Sequence, residues 1–199
     1  SGHASDSVSV ALGLAMARDL NGGDEKIVTI IGDASLSGGM AFEALNQLGQ
    51  LQTPMVIILN DNEMSISRNV GALARYLGEK RASREYTRTR DSVQSVLEAS
   101  GPLGRGLVDL GRNAKDSFKQ MVIPGEMLFE KLGITCTAPI PGHDIAALKR
   151  ALRVCLKADG PTLLHVVTKK GRGYEPAEEN PSKFHGIGPY DIATGEVKK

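Results

Sequence analysis

The chain has 199 residues, of which 41% are hydrophobic and 24% charged, so it is long enough for one α/β domain with its own core and too apolar for wholesale disorder. With 24 Lys and Arg against 23 Asp and Glu, its net charge of +1 excludes a general attraction to nucleic acid or to an anionic membrane surface. Two cysteines argue against a disulfide scaffold and fit a reducing compartment. No apolar run reaches the roughly 18 residues of a membrane span, and no signal peptide is expected, since the first residues lack a basic and apolar lead.

The first third of the chain alternates between helical and strand patterns. Apolar spacings of three and four predict a helix over 6–20, and short apolar runs at 26–31 and 54–59 predict buried strands. A helix over 37–49 lies between the two strands, so we expect a parallel strand–helix–strand unit with a right-handed crossover. The side chains predicted to face inward from the first helix are Val8, Ala11, Leu12, Ala15 and Met16.

The last third repeats the alternation. We predict a helix over 126–132, a strand over 134–138, a helix from its cap at Asp144 to residue 158, and a final strand over 161–169. The tail from Gly171 is rich in Gly, Pro and Asn and is expected to be a loop. The alternation predicts an α/β fold with a doubly wound parallel sheet, in which ligands bind beyond the carboxyl ends of the strands. The residues predicted to face inward from the helix after Asp144 are Ile145, Leu148, Leu152, Cys155 and Leu156.

Residues 76–119 differ from both ends because they are charged and contain few apolar anchors. Two interpretations stay open: a solvated surface, or a mobile helical arm that closes over an anionic substrate. We interpret residues 1–199 as one partial domain, with a core of 1–75 and 120–199 and the mobile arm at about 76–119. The basic side chains crowded into the arm include Lys80, Arg81, Arg84, Arg88 and Arg90.

Polar side chains follow the first two predicted strands. Asp33 comes directly after the first strand, and Asn62 follows the second, about one crossover later. Their carboxylate and amide oxygens suit Mg²⁺ or Ca²⁺, and the glycines between them allow close approach of backbone to a ligand. Taken singly, each is common turn chemistry. Together they predict a Mg²⁺-bridged diphosphate site.

Longer strings around these residues resemble the 1-deoxy-D-xylulose-5-phosphate synthase family, which belongs to the transketolase superfamily of thiamine-diphosphate enzymes. The Gly-Asp pair at 32–33 and the Asn-rich turn carry the superfamily likeness. The resemblance extends from residue 2 to about 191. The strings that carry it are at 2–5, 39–46, 59–67, 168–178 and 184–186.

The resemblance implies a cytoplasmic, homodimeric transferase that condenses pyruvate with glyceraldehyde 3-phosphate, with loss of CO₂, using thiamine diphosphate and Mg²⁺. Its product would serve isoprenoid and thiamine biosynthesis. It implies that Mg²⁺ is bound by Asp33, Asn62 and the Met64 carbonyl, and that His185 reaches the substrate or reaction intermediates. The implied cofactor-binding residues are Gly2, His3, Ala4, Ala34, Ser35, Asn62 and Tyr174.

Two departures from the family pattern bear on function. Ala34 stands where the motif has a second glycine, which is tolerated if its φ is negative. Family members are also much longer, with a pyrimidine-binding domain that carries an activating Glu and a C-terminal region. The chain would therefore supply a half-site, inactive alone, that works with those regions from the same gene or a separate subunit. The alternative is a non-catalytic module that binds thiamine diphosphate or a partner subunit.

The other histidines and the cysteines are interpreted as structural. His165 lies within the last predicted strand and is expected to be a packed core residue. His143 precedes a helix cap and is expected to be a turn residue. Cys136 and Cys155 fall on core patterns and are expected to be buried thiols.

Overall fold

A parallel β-sheet with helices on both of its faces organises the protein. The computed structural model describes residues 2–82 and 128–197. In these ranges the sheet has five strands in the order β1-β2-β5-β3, and β4 also pairs with β5. The strands are β1 (Val28–Gly32), β2 (Val56–Asp61), β3 (Thr135–Cys136), β4 (Ile140–Pro141) and β5 (Thr162–Val167). The helices are α1 (Ser7–Leu20), α2 (Asp33–Leu36), α3 (Gly39–Leu51), α4 (Ala72–Ala82), α5 (Leu128–Lys131), α6 (Ile145–Cys155) and α7 (Glu175–Glu179).

The central strands are buried on both sides, as continuous apolar runs in a parallel sheet require. In β5 only Val167 is not fully buried, and β2 pairs with it in parallel along its whole length. β1 pairs in parallel with β2, with Ile31 opposite Leu59. The predicted parallel strand–helix–strand unit is therefore confirmed, and the carboxyl ends of β1, β2 and β5 lie at one edge of the sheet.

Two apolar layers enclose the sheet. One packs α1 and α3 against side chains such as Ile57, Leu59 and Leu163. The other packs α6 against the opposite face, where Leu164 and Val166 are buried. Helices thus cover both faces of a parallel sheet, which confirms the predicted doubly wound α/β fold.

The prediction that Met16 and Ile145 face inward is wrong. Met16 is 41% exposed and Ile145 is 59% exposed. Met16 follows the buried Ala15 on α1 and lies at the border of its apolar stripe. Ile145 is the first residue of α6, so its side chain lies at the helix end rather than over the sheet. The predicted cap is confirmed, because the Asp144 carboxylate accepts a hydrogen bond from the Ala147 backbone N–H at 2.9 Å.

Several element boundaries differ from the prediction. β2 continues to Asp61, beyond the expected end at Leu59. The strand expected over 134–138 is shorter, at Thr135–Cys136, and the unpredicted strand β4 follows it at Ile140–Pro141; both pair with β5. The tail expected to be a loop contains the one-turn helix α7.

The beginning of the predicted arm falls inside α4. Tyr76 packs against the first apolar layer, and Leu77 is 2% exposed, so this part of α4 belongs to the core. Residues 83–119 of the arm lie outside the described residues, and with them Arg84, Arg88 and Arg90, so the arm stays a prediction. None of the helices in the described ranges has the length and apolarity needed to cross a bilayer.

Both cysteine side chains are buried free thiols, as predicted. Burial raises the pKa of Cys155 to about 12 and that of Cys136 further, with the Glu130 carboxylate adding to the effect at Cys136. A thiol with a pKa near 12 is ionised in about one molecule in ten thousand at pH 8, and the thiolate is the reactive form.

We therefore expect the native chain at pH 8 to react very slowly with a disulfide reagent such as DTNB. In guanidinium chloride both thiols become accessible and their pKa values return to the ordinary range, so two equivalents should react within minutes. The unfolded sample is the control for reagent and protein concentration. Rapid reaction of one equivalent in the native chain would contradict the burial of that thiol.

Candidate functional site

Asp33 lies where β1 ends, and the loop after β2 meets it there. Its side chain is buried, at 6% exposure. One carboxylate oxygen accepts the backbone N–H of Ala34 at 2.7 Å, and the other accepts those of Asn62 at 3.2 Å and Glu63 at 2.7 Å. The structure therefore brings together the two strand ends that the sequence singled out.

The surroundings of the Asp33 carboxyl disfavour its charged form. Burial raises its pKa, and the neighbouring Asp61 carboxyl raises it further, while hydrogen bonds from Asn69 and Ala34 act in the opposite direction. A second negative group beside a buried carboxylate favours a bound cation, because a cation relieves both the repulsion and the lost hydration.

The donor set around Asp33 fits a hard cation. The Asn62 side-chain oxygen accepts the Met64 backbone N–H at 3.0 Å, and this turn holds Asn62 and Met64 together. Carboxylate, amide and carbonyl oxygens each have two lone pairs, so these hydrogen bonds leave acceptor capacity for a metal. Nowhere in residues 2–82 and 128–197 do three or more His, Cys, Asp or Glu side chains form a metal-binding group. A site with one carboxylate, one amide and one carbonyl is not of that kind, and it suits Mg²⁺, which keeps water and phosphate in its shell.

The N-terminal segment is fastened beside the same strand end. The Ser5 hydroxyl donates to the Ser35 backbone carbonyl at 2.5 Å. A Cβ on Gly38 would come within 2.2 Å of that hydroxyl oxygen, so the glycine is needed for this close approach. Gly2, His3 and Ala4, which precede Ser5, are exposed. Their contact with a cofactor stays a prediction. The residue that anchors this segment, Ser5, is bonded to Ser35, two residues after Asp33.

Ala34 and Ser35 are part of the one-turn helix α2, which was not predicted from the sequence. Within the described ranges, positive φ at residues other than glycine occurs at Ser5, Gln52 and Glu63, so Ala34 has a negative φ. The condition under which alanine can replace the motif glycine is therefore met.

The end of β5 adds a cation to the site, which the sequence analysis did not assign. The Lys170 ammonium donates to the Ser65 backbone carbonyl, one residue after Met64. It also lies 2.7 Å from Nδ1 of His185. An ammonium group can only donate, so Nδ1 accepts and the ring proton is on Nε2. His185 is thus linked through Lys170 to the loop that carries Asn62 and Met64.

The Tyr174 side chain contacts the segment at residues 184–192. Its hydroxyl donates to the Ile192 carbonyl at 2.7 Å. Its ring lies edge-on to Phe184, with centroids 5.5 Å apart, and 6.0 Å from Tyr190. Its predicted role as a cofactor-binding residue stays a prediction.

The two other histidines have the structural roles expected for them. His143 accepts the Lys169 backbone N–H at 2.8 Å and so holds the chain at the end of β5. His165 is fully buried, and its Nε2 lies 2.8 Å from a carboxylate oxygen of Asp61. No role was predicted for Asp61 from the sequence. Its burial at 1% exposure makes it a further polar group of this edge of the sheet.

Open space lies over these residues. A cavity of about 710 Å³ is lined by Asp33, Asp61 and Glu63 together with Arg68 and Arg75. A second cavity, of about 330 Å³, is lined by Asn62, Met64 and Lys170 among others. The two share Asp61, Glu63 and Arg68, so the space above the strand ends can hold a ligand that contacts both β1 and β5.

Comparison with known proteins gives consistent matches. A family model described as 1-deoxy-D-xylulose-5-phosphate synthase matches residues 1–168. Synthases of that name from Desulforudis audaxviator and Pelotomaculum thermopropionicum are 53% and 49% identical to the chain over 196 and 198 residues, or 98% and 100% of its length. One from Syntrophomonas wolfei is 48% identical over 199 residues. In each case the match covers 31% of the relative, so the chain spans about a third of the length of these proteins.

Proposed function

Because this chain belongs to the 1-deoxy-D-xylulose-5-phosphate synthase family, we propose that it supplies the Mg²⁺- and diphosphate-binding half of a thiamine-diphosphate site. The observation that carries the proposal is the buried Asp33 carboxylate at the end of β1, joined by backbone hydrogen bonds to the Asn62–Glu63 loop after β2. Ligands of doubly wound sheets bind at this edge.

In this proposal Asp33, the Asn62 side chain and the Met64 carbonyl would hold Mg²⁺ together with the diphosphate of the cofactor. One protein carboxylate is sufficient at this site, because the diphosphate itself brings most of the negative charge that Mg²⁺ requires. The Lys170 ammonium, beside Ser65, adds positive charge on the other side of the loop. The backbone of Ala34 and Ser35, the segment at residues 2–4 and Tyr174 would complete the cofactor contacts.

Bound thiamine diphosphate supplies a nucleophilic carbon and an electron sink that no side chain provides. The part played by this chain is to bind, orient and handle protons. With its Nδ1 occupied by Lys170, His185 presents an Nε2–H donor. We assign this donor to a polar oxygen of the substrate, which it orients by hydrogen bonding.

We propose that the whole enzyme condenses pyruvate with glyceraldehyde 3-phosphate, with loss of CO₂. The chain spans about a third of its relatives, so the pyrimidine-binding and C-terminal regions expected from the family are needed for that reaction. The cytoplasmic location and the homodimer implied by the resemblance stay predictions.

The test is isothermal titration calorimetry of the chain with thiamine diphosphate, with excess Mg²⁺ or with EDTA. We expect saturable binding in Mg²⁺, with at least about a tenfold weaker interaction in EDTA. Circular dichroism of the same sample verifies that the protein is folded. Binding of equal strength with and without metal would contradict the metal site, and no binding by the folded chain would contradict a preformed half-site. In the second case, binding restored by the complementary polypeptide would identify the chain as a subunit part whose site forms only in the complex.

A further inference from the structure

A buried ionisable pair lies directly beneath the loop that carries Asn62 and Met64. Asp61 is 1% exposed, His165 is 0% exposed, and His165 Nε2 lies 2.8 Å from Asp61 Oδ2. The two residues are on the neighbouring parallel strands β2 and β5. His165 lies opposite Leu59, and Asp61 is two residues after Leu59 and so shares its face of the sheet. Their side chains therefore point to the same face of the sheet, into the layer that also contains Leu59 and Leu163.

Stability alone does not account for this pair. Taking a carboxylate and an imidazole out of water costs free energy that their mutual hydrogen bond at best repays, and apolar side chains of similar size would serve the core equally well. The best-attested use of a buried pair of this kind is to hold one particular geometry. The geometry next to Asp61 is that of the loop that begins at Asn62.

Other bonds from the end of β5 converge on the same point. The Thr168 backbone N–H donates to the Asp61 carbonyl at 3.0 Å, and its hydroxyl donates to the Asn60 side-chain oxygen at 2.7 Å. The last two residues of β2 are thus bound to β5 through side chain and backbone. The following N–H groups, of Asn62 and Glu63, are those that meet the Asp33 carboxylate.

We propose that His165 is a positioning residue, which acts through Asp61 to hold the loop of Asn62 and Met64 in its ligand-binding geometry. The inference rests on the proposed function of that loop, and it deepens that proposal by assigning a role to a pair that touches neither metal nor cofactor. The effect of His165 on the loop is present before any ligand binds, so it can be measured on the chain alone.

The experiment compares three substitutions in the chain. His165→Leu removes the N–H donor and puts an apolar side chain of similar size in its place. His165→Gln restores a donor that can reach Asp61. Leu164→Ala is the matched control, because Leu164 is the preceding residue of β5, is also fully buried, and packs into the opposite layer. If His165→Leu does not fold, His165→Asn takes its place, since its shorter side chain also withdraws from Asp61.

Amide hydrogen exchange is measured by NMR without Mg²⁺ or thiamine diphosphate, and the amides of residues 62–64 are compared with that of Leu59 in β2. We expect His165→Leu to raise the ratio of loop to strand exchange by at least about tenfold, while Leu164→Ala, which lowers global stability, does not raise this ratio. His165→Gln should stay within about threefold of the wild-type ratio.

An unchanged ratio in His165→Leu, or an equal rise in Leu164→Ala, would overturn the proposal, and so would a His165→Gln variant as altered as His165→Leu. Since no ligand is present, these outcomes do not depend on whether the chain binds the cofactor. If the wild-type chain does bind, His165→Leu should also weaken Mg²⁺-dependent binding of thiamine diphosphate by about tenfold, with Leu164→Ala close to wild type.

Discussion

Replacing Asp33 with asparagine should weaken Mg²⁺-dependent binding of thiamine diphosphate by at least about 100-fold, or about 2.8 kcal/mol, while the fold persists. Asparagine keeps the size of the side chain but removes the negative charge, and its NH₂ group cannot bind a cation. Within the donor set proposed here, Asp33 is the ligand that carries a formal charge. The other two ligands, Asn62 and the Met64 carbonyl, are neutral.

The fold should survive this change because two effects oppose each other. Burial raises the pKa of Asp33, which means that the charged form is less favourable in the folded chain than in the unfolded one. In the charged form, which is the form that binds a cation, the buried carboxylate costs folding free energy, and asparagine removes that cost. Against this, the NH₂ group of asparagine faces at least one of the backbone N–H donors of Ala34, Asn62 and Glu63 and loses that hydrogen bond.

Calorimetry with excess Mg²⁺, together with thermal unfolding, measures both expectations. The matched control is Asp24→Asn. It removes the same charge from an exposed residue that lies shortly before the first residue of β1, far from the strand end at Asp33. Asp24→Asn should bind like the wild type. Binding by Asp33→Asn within about threefold of wild type, or equal weakening in both variants, would show that the carboxylate at the strand end is not a metal ligand.

The convergence of Asp33 and Asn62 could be predicted from the sequence because it depends on few assumptions. Two uninterrupted apolar runs with a helical segment between them have one common arrangement, which is a pair of parallel strands. Residues that follow such strands lie at the same edge of the sheet whatever the details of the helix. The observed hydrogen bonds between the Asp33 carboxylate and the Asn62–Glu63 backbone follow from that topology.

The contacts of Asp61 and Lys170 could not be predicted in this way. Asp61 meets His165, which is 104 residues away, and Lys170 meets Ser65, which is 105 residues away. No spacing along the chain signals such a pair, and an Asn-Asp-Asn string is typical of a turn. A clue was present in the unusual position of His165 within an otherwise apolar strand, since a buried imidazole requires a polar partner. The identity of that partner depends on the register of β2 against β5.

The short helix α2 and the exposure of Met16 were missed for a different reason. A four-residue helix is shorter than the window over which apolar periodicity can be recognised. Met16 lies at the edge of an apolar stripe, where one residue of rotation decides whether a side chain faces the sheet or solvent. Both are local consequences of how α1 and α2 pack, which composition does not specify.

Replacing Gly49 with alanine should destabilise the chain strongly, by about 2 to 3 kcal/mol, although alanine is the better helix former. Gly49 lies in α3, where a Cβ would come within 1.8 Å of the Leu132 carbonyl oxygen and 2.9 Å of its carbon. These are backbone atoms, so no side-chain rotation relieves the contact. Either α3 or the segment before β3 must shift.

The surroundings of Gly49 resist such a shift. The Gln52 side-chain amide donates to the Gly49 carbonyl at 2.6 Å and to the Gly133 carbonyl at 2.9 Å, and so joins α3 to the chain beyond Leu132. Ile134, which follows, is fully buried. An added methyl group therefore strains two hydrogen bonds and a core residue, and the gain of up to about 1 kcal/mol from helix propensity does not offset this.

The matched control is Gly13→Ala in α1. Gly13 is also a helical glycine, but it is exposed and a Cβ there would meet nothing within 4 Å. Urea unfolding followed by circular dichroism should show Gly13→Ala more stable than wild type by about 0.5 to 1 kcal/mol and Gly49→Ala less stable. The same chemical change would then have opposite signs at two helical sites, which isolates the close approach of α3 to Leu132 as the cause. If Gly49→Ala were as stable as Gly13→Ala, α3 and the segment before β3 would not be in backbone contact.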